Sequence, residues 1–337
     1  MRLTFILCFF SMFTFAQTNS WKTIPLNTNV SFRGISVIND SIAWISGGSG
    51  TVGRTTDGGN SWILSKVANY ESKDFRSIYA FDSQKAIIAN AGSPASILKT
   101  ENGGLSWQLV YYSNDSDIFI DGVDFWNRQE GLIYGDPLNG MMLVLSTTDG
   151  GQKWTNVCDA SRPTLRPNES SFAASGTGIR CFAKQHVIIS TGGFNTRLYT
   201  SCDKGRTWDT IATPMLAGRK TTGIFSVARN PKNRIVIVGG DYLIDTLKTN
   251  HVFYSNNDGK TWKAPNKPTR GYRECVEFVG KNRWICVGPG GSDLSIDNGK
   301  SWAPLSNEKN FHTLRKARNG KLLIASGKGK VAIVSAF

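Results

Sequence analysis

After its first 15 residues the chain has no apolar run near the roughly 20 residues that a membrane-spanning helix needs, so no transmembrane anchor is expected. Histidine is scarce: His186, His251 and His312 are the only three, and none has the neighbours of a hydrolytic triad. Six cysteines are present without a Cys-x-x-Cys pair, which argues against a zinc site. Cys275 and Cys286 flank a hairpin turn at Gly280-Lys281-Asn282, but no disulfide framework can be read from the spacing. There is no dinucleotide fingerprint, flavin motif or nucleic-acid-binding module. Helical periodicity is almost absent. A cofactor, a metal and a nucleic-acid partner are therefore not expected.

What is present begins with Arg2, an uncharged apolar run from Leu3 to Phe15, and the small-residue pattern Thr14-Phe15-Ala16. This is the form of a secretory signal peptide. Cys8 lacks the small residue that precedes a lipoprotein cleavage site. The expected organisation is a signal peptide over 1–16 and one domain over 17–337, exported to the periplasm or beyond the cell. The charge is basic, 39 Lys and Arg against 25 Asp and Glu. Such a balance suits an acidic partner, although it also serves as a solubilising surface.

The chain is dominated by a repeat. "TTDGGNSW" (Thr55 to Trp62) recurs as "TENGGLSW", "TTDGGQKW", "SCDKGRTW", "SNNDGKTW" and "SIDNGKSW". The closing residues Trp62, Trp107, Trp154, Trp208, Trp262 and Trp302 lie 45, 47, 54, 54 and 40 residues apart. Each period holds four short β-rich stretches separated by turn signals, as a propeller blade does. Three further strands, 311–317, 321–327 and 330–337, follow the last motif, and "NSWKTIP" (Asn19 to Pro25) repeats the motif's end at the other terminus. The expectation is an all-β, seven-bladed propeller of four-stranded antiparallel blades, closed by the N-terminal strand joining the last blade.

Within the motif, Asp57, Asn102, Asp149, Asp203, Asn257 and Asp297 occupy one position, where a side-chain oxygen can accept from following backbone N–H groups. The glycine two residues later permits a positive φ, and the tryptophan can bury about 150–250 Å². Each copy offers one or two side-chain oxygens, far short of the six to eight that Ca²⁺ takes. The motif thus reads as structural.

The pattern Ser/Thr-x-Asp-x-Gly-x-Ser/Thr-Trp resembles the Asp-box, or bacterial neuraminidase (BNR) repeat, of sialidases, sortilin-type receptors, xyloglucan hydrolases and photosystem II stability and assembly factors. Lys153 and the asparagines at 102 and 257 depart from it. Seven repeats with an export signal resemble most the secreted propellers of the photosystem II assembly-factor type. That resemblance implies a non-catalytic β-propeller binding a protein or peptide, as an assembly or stability factor for an envelope complex. No residue implies a photosynthetic partner.

The motif is a third-to-fourth-strand turn, so all copies should share one rim. The long segments 66–74, 111–118, 158–178, 212–222 and 265–271 then fall on the other face, where function is expected. Inner strands begin there and carry Arg33, Arg76, Asp121, Arg180, Arg273 with Glu274, and His312; nearby turns add Asp136 and Asp241, and the 158–178 insertion adds Glu169. Together they suggest an arginine-rich, acid-rimmed pocket for a carboxylate or acidic peptide. The other expectation for these charges is that they pair across the channel. A carbohydrate partner is the alternative, through a sialidase-like glycoside hydrolase in which Arg33, Arg180 and Arg273 clamp a sugar carboxylate, Tyr272 is the nucleophile and Asp121 the acid/base.

Overall fold

The structure, a computed structural model, describes residues 21–335; the expected signal peptide lies outside these residues. Seven antiparallel sheets form the ring. Their inner strands are Phe32–Val37, Ser77–Ala80, Ile120–Phe125, Ile179–Phe182, Thr222–Arg229, Cys275–Gly280 and Phe311–Lys316, which define blades 1 to 7. The only helix among the described residues is one 3-10 turn, Asp159–Ser161. Blade 7 takes its outer strand from the N-terminus: Trp21–Pro25 pairs with Lys330–Val334 in a register running from Trp21↔Val334 to Pro25↔Lys330.

Blade 5 departs from the expected four strands. It has three, Thr222–Arg229, Ile235–Asp241 and Val252–Ser255, and its outer edge is reduced to the single bridge Tyr254↔Lys263. Its inner edge is extended instead. Gly192–Gly193 pairs with Thr222–Arg229 at Gly192↔Gly223, and Glu169–Ser170 pairs with Gly192–Gly193.

Apolar side chains fill the spaces between adjacent blades, and the Asp-box turns complete them. Trp107 packs on the cluster between blades 1 and 2, Trp154 between 2 and 3, and Trp208 between 3 and 4. Trp62 closes the space between blades 7 and 1, and Trp21 does the same between 6 and 7. Each turn is tied to the first-to-second turn of its own blade: Gly58 N donates to Ser41 O, Gly103 N to Gln84 O and Gly150 N to Gln129 O. The Asp-boxes therefore share one rim with those turns. Gly59 shows why glycine is needed in them. Its φ is 89°, and a Cβ there would meet Ile324 Cδ1 of blade 7 at 3.2 Å.

The 158–178 insertion does not lie over the open face as a surface loop. Its end, residues 171–178, crosses the central channel and touches blade after blade. Ser171 N donates to Asp136 Oδ1 (2.8 Å), and Arg33 Nη1 donates to Ala174 O (2.8 Å). Ser175 Oγ donates to Glu274 O (2.7 Å), while Thr313 Oγ1 donates to Ser175 O (2.9 Å). Thr177 Oγ1 bonds Ser226 Oγ (2.6 Å), and Arg315 Nη2 reaches Gly176 O (3.3 Å). The channel is thereby divided into two cavities, one at each mouth.

Candidate functional site

At the mouth opposite the Asp-boxes is a cavity of about 610 Å³. Its wall is assembled by a recurring backbone device. In blades 1, 3, 5 and 7 the register slips near the start of the inner strand, leaving Arg33, Asp121, Phe225 and His312 as the extra residue of a β-bulge. A bulge re-aims its side chain out of the pleat. All four residues line the cavity, as do Arg76, Glu274 and Asp136. Six of the ten sequence-predicted side chains (Arg33, Arg76, Asp121, Asp136, Glu274 and His312) are thus brought together.

The other four sit elsewhere, each for a physical reason. Arg180 belongs to the second cavity, about 160 Å³, near the Asp-box end. Ile179 pairs with Ile189 as Ile35 pairs with Ile45, so Thr177, not Arg180, occupies the position equivalent to Arg33. Arg180 there pairs with Glu277 and donates to Val227 O (3.1 Å). Arg273 is buried against the carboxylate of Asp293, which Arg270 also holds at 2.8 Å. Glu169 is buried on Arg197, with Thr191 Oγ1 donating to it at 2.6 Å, and so pins the insertion to blade 4. Asp241 accepts from Leu243 N (3.0 Å) and faces Arg219 at 3.6 Å.

Within the first cavity the charges divide into engaged and unengaged groups. Arg33 meets Glu274 at 3.0 Å and Arg76 meets Asp74 at 2.7 Å. His312 Nδ1 lies 2.7 Å from Glu274 Oε2. Burial pushes the Glu274 carboxyl up, but Arg33 and His312 outweigh it and hold the group below its ordinary value. Tyr272 is buried against the same carboxylate, and burial pushes its phenol well up. Asp121 is different. It is fully buried, and neither carboxylate oxygen has a hydrogen-bond partner in the protein. Burial, reinforced by the charge of Asp136, raises it well above the ordinary carboxylate range; Arg76 opposes this only in part. Asp136 is also raised by burial, against the bond from Ser171 N.

The cavity has an aromatic side that charge-based reading of the sequence missed. Phe172 of the insertion stacks on Phe225 at 3.9 Å between centroids, and Tyr272 meets Phe225 edge-on at 4.8 Å. Tyr242, about half exposed, stands at the rim. The signal for Phe225 was available: Ile224-Phe225-Ser226 has the form of Phe32-Arg33-Gly34, with an apolar residue in the variable place.

Among the described residues no helix is long and apolar enough to cross a membrane, and no group of three or more His, Cys, Asp or Glu side chains is placed to hold a metal ion. All five cysteines in this region are free thiols; Cys275 and Cys286 sit on paired strands but face Val287 and Val276.

Comparison with known proteins agrees with this architecture. The family described as Photosynthesis system II assembly factor YCF48 matches residues 13–115. A curated protein, the photosystem II assembly lipoprotein Ycf48 of Synechococcus sp. (strain CC9902), is 25% identical over 169 residues, 48% of this chain. That match spans 49%, about half, of the relative's own length. The chain resembles the photosystem II assembly-factor propellers. A structure described as YCF48 bound to D1 peptide superposes with TM-score 0.69 at 16% identity, over 95% of this chain and 98% of that one. YCF48 from Cyanidioschyzon merolae gives 0.67 at 16% identity, over 93% and 98%. At such identities the structural likeness speaks for the fold.

Proposed function

We propose that the protein is an exported, non-catalytic propeller that holds a peptide segment of a partner protein in the 610 Å³ cavity and so serves the assembly or stability of an envelope complex. The observation that carries this reading is the cavity itself. It lies on the face away from the structural turns, is walled by bulged residues from four blades, and combines an aromatic side with buried polar groups. That composition is typical of a preformed ligand site. The resemblance to a protein whose structure is described with a bound D1 peptide supports peptide as the ligand class. The amino-terminal apolar run supports export.

The glycosidase alternative is less well supported. Arg33 lines the first cavity, Arg180 the second, and Arg273 is enclosed with Asp293, so the three do not form a clamp. Tyr272, the expected nucleophile, and Asp121, the expected acid/base, do line the first cavity, Tyr272 against Glu274, so it is the missing arginine clamp that disfavours this reading.

Affinity capture from the native envelope tests the proposal. The unaltered chain should retain a specific protein, and Arg76→Ala combined with Tyr242→Ala should reduce its recovery at least tenfold. Both side chains are partly exposed at the cavity and neither anchors the channel segment. Undiminished capture by the double variant would place the binding surface elsewhere.

A further inference from the structure

The sequence suggested an acidic ligand because arginines converge on the channel. In the folded protein both cavity arginines already face carboxylates, Arg33 on Glu274 and Arg76 on Asp74. The buried cavity atoms left without protein partners belong to other groups. They are both oxygens of Asp121, Nε2 of His312 and Oγ of Ser171. All three residues line the cavity and are more than nine-tenths buried. Two of these atoms belong to a carboxyl group, which once ionised only accepts hydrogen bonds. His312 directs Nδ1 to Glu274, leaving Nε2 as the ring atom that meets a ligand. Asp136, beside Asp121, has no cationic side chain against it and takes a single backbone bond from Ser171. The unpaired acids in the cavity are therefore Asp121 and Asp136, negative once ionised, and Phe172, Phe225 and Tyr272 line the same cavity.

Resting on the peptide-binding reading, we propose that this cavity recognises an alkylammonium group, the side chain of a lysine in the bound peptide. The ammonium carries three donors and one positive charge: Asp121, giving up its proton as the cation enters, balances the charge, while His312 Nε2, in the tautomer protonated at Nδ1, and Ser171 Oγ accept the remaining donors. Its four-carbon stem packs on the aromatic side, where the ring faces also attract a cation. A buried acceptor left unpaired is costly, so the donor that completes it is favoured over an isostere lacking the charge.

The test is a calorimetric titration of the full chain with three blocked peptides of the form acetyl-Gly-Phe-X-Gly-amide, where X is lysine, norleucine or glutamate. The lysine peptide should bind at least tenfold tighter than the norleucine peptide, with glutamate weakest. Asp121→Asn should remove the lysine advantage and leave norleucine binding within twofold. The ranking on the unaltered protein decides even if that variant does not fold. A preference for glutamate, equal binding of all three, or a lysine advantage that survives Asp121→Asn overturns the inference while peptide binding stands. Should no peptide bind, the peptide reading fails. Cadaverine then decides the ammonium site: Asp121-dependent binding upholds it for a free amine, and no binding removes it too.

Discussion

Asp121 concentrates the chemistry of the cavity in one side chain. Burial, reinforced by Asp136 and opposed in part by Arg76, raises its carboxyl well above the ordinary value, so the folded protein keeps a proton that the unfolded chain releases. Stability contributed by that proton is complete below the unfolded value near 4 and is lost as pH rises toward the folded one. Asp121→Asn removes the dependence. The variant should melt above the parent at pH 7, by about 2–4 °C for each kcal/mol relieved, with the difference closing near pH 4. Paired thermal scans across that interval read it, and a constant offset would show that the acid is not strained by ionisation. This side chain was visible in the sequence as one of a set of charges beginning the inner strands. Its isolation was not. Glu274, which neutralises Arg33, comes from another blade, and one-dimensional spacing does not show that Asp74, two residues before Arg76, takes that arginine and leaves Asp121 over. Arg180 belongs to the sequence-predicted set because it lies near the start of its inner strand, as Asp121 does. The bulge that distinguishes the two positions is a hydrogen-bond register, which composition does not display.

The Asp-box turn is the element whose physics was most legible. Thr55 Oγ1, buried, accepts from Gly59 N at 3.0 Å and donates to Asp57 Oδ1 at 2.8 Å. Asp57 in turn accepts from Ser61 N at 3.0 Å, and its hydrogen bonds from Ser61 and Thr55 hold its carboxyl at about 2. Hydroxyl, carboxylate and glycine positions follow one another within eight residues, so local sequence contains the whole turn. Thr55→Val strands the Gly59 N–H in the space between blades 7 and 1. It should cost about 1–3 kcal/mol, seen as a lower urea midpoint at unchanged slope. An unmoved midpoint would mean that the tryptophan alone secures the turn. The 158–178 insertion was the least legible element. Its length marked it as a loop, but its place in the channel depends on Ser226, Glu274, Thr313 and Arg315, between about 50 and 140 positions away in the chain.

At the scale of the molecule, the ring is closed by five register pairs between Trp21–Pro25 and Lys330–Val334, with Trp21 edge-on to Phe311 at 5.0 Å. A chain beginning at residue 26 would leave the last strand with an unpaired edge and uncover the interface between blades 6 and 7. It should self-associate and lose its single cooperative melting transition, measured by light scattering and circular dichroism. A monomeric, cooperatively melting truncated chain would show that the remaining interfaces suffice. Closure was legible because "NSW" at 19–21 repeats the end of a box that the C-terminus lacks.

The segment that spans the channel makes the ring a cup and not a pipe. With residues 171–178 bonded to blades on every side, nothing is threaded from one mouth to the other. A partner chain that enters the larger mouth has to leave by it, so what enters is a chain end, a single side chain or the tip of a hairpin. Under the proposed peptide binding, such a guest would leave by the mouth it entered, without passing through the ring.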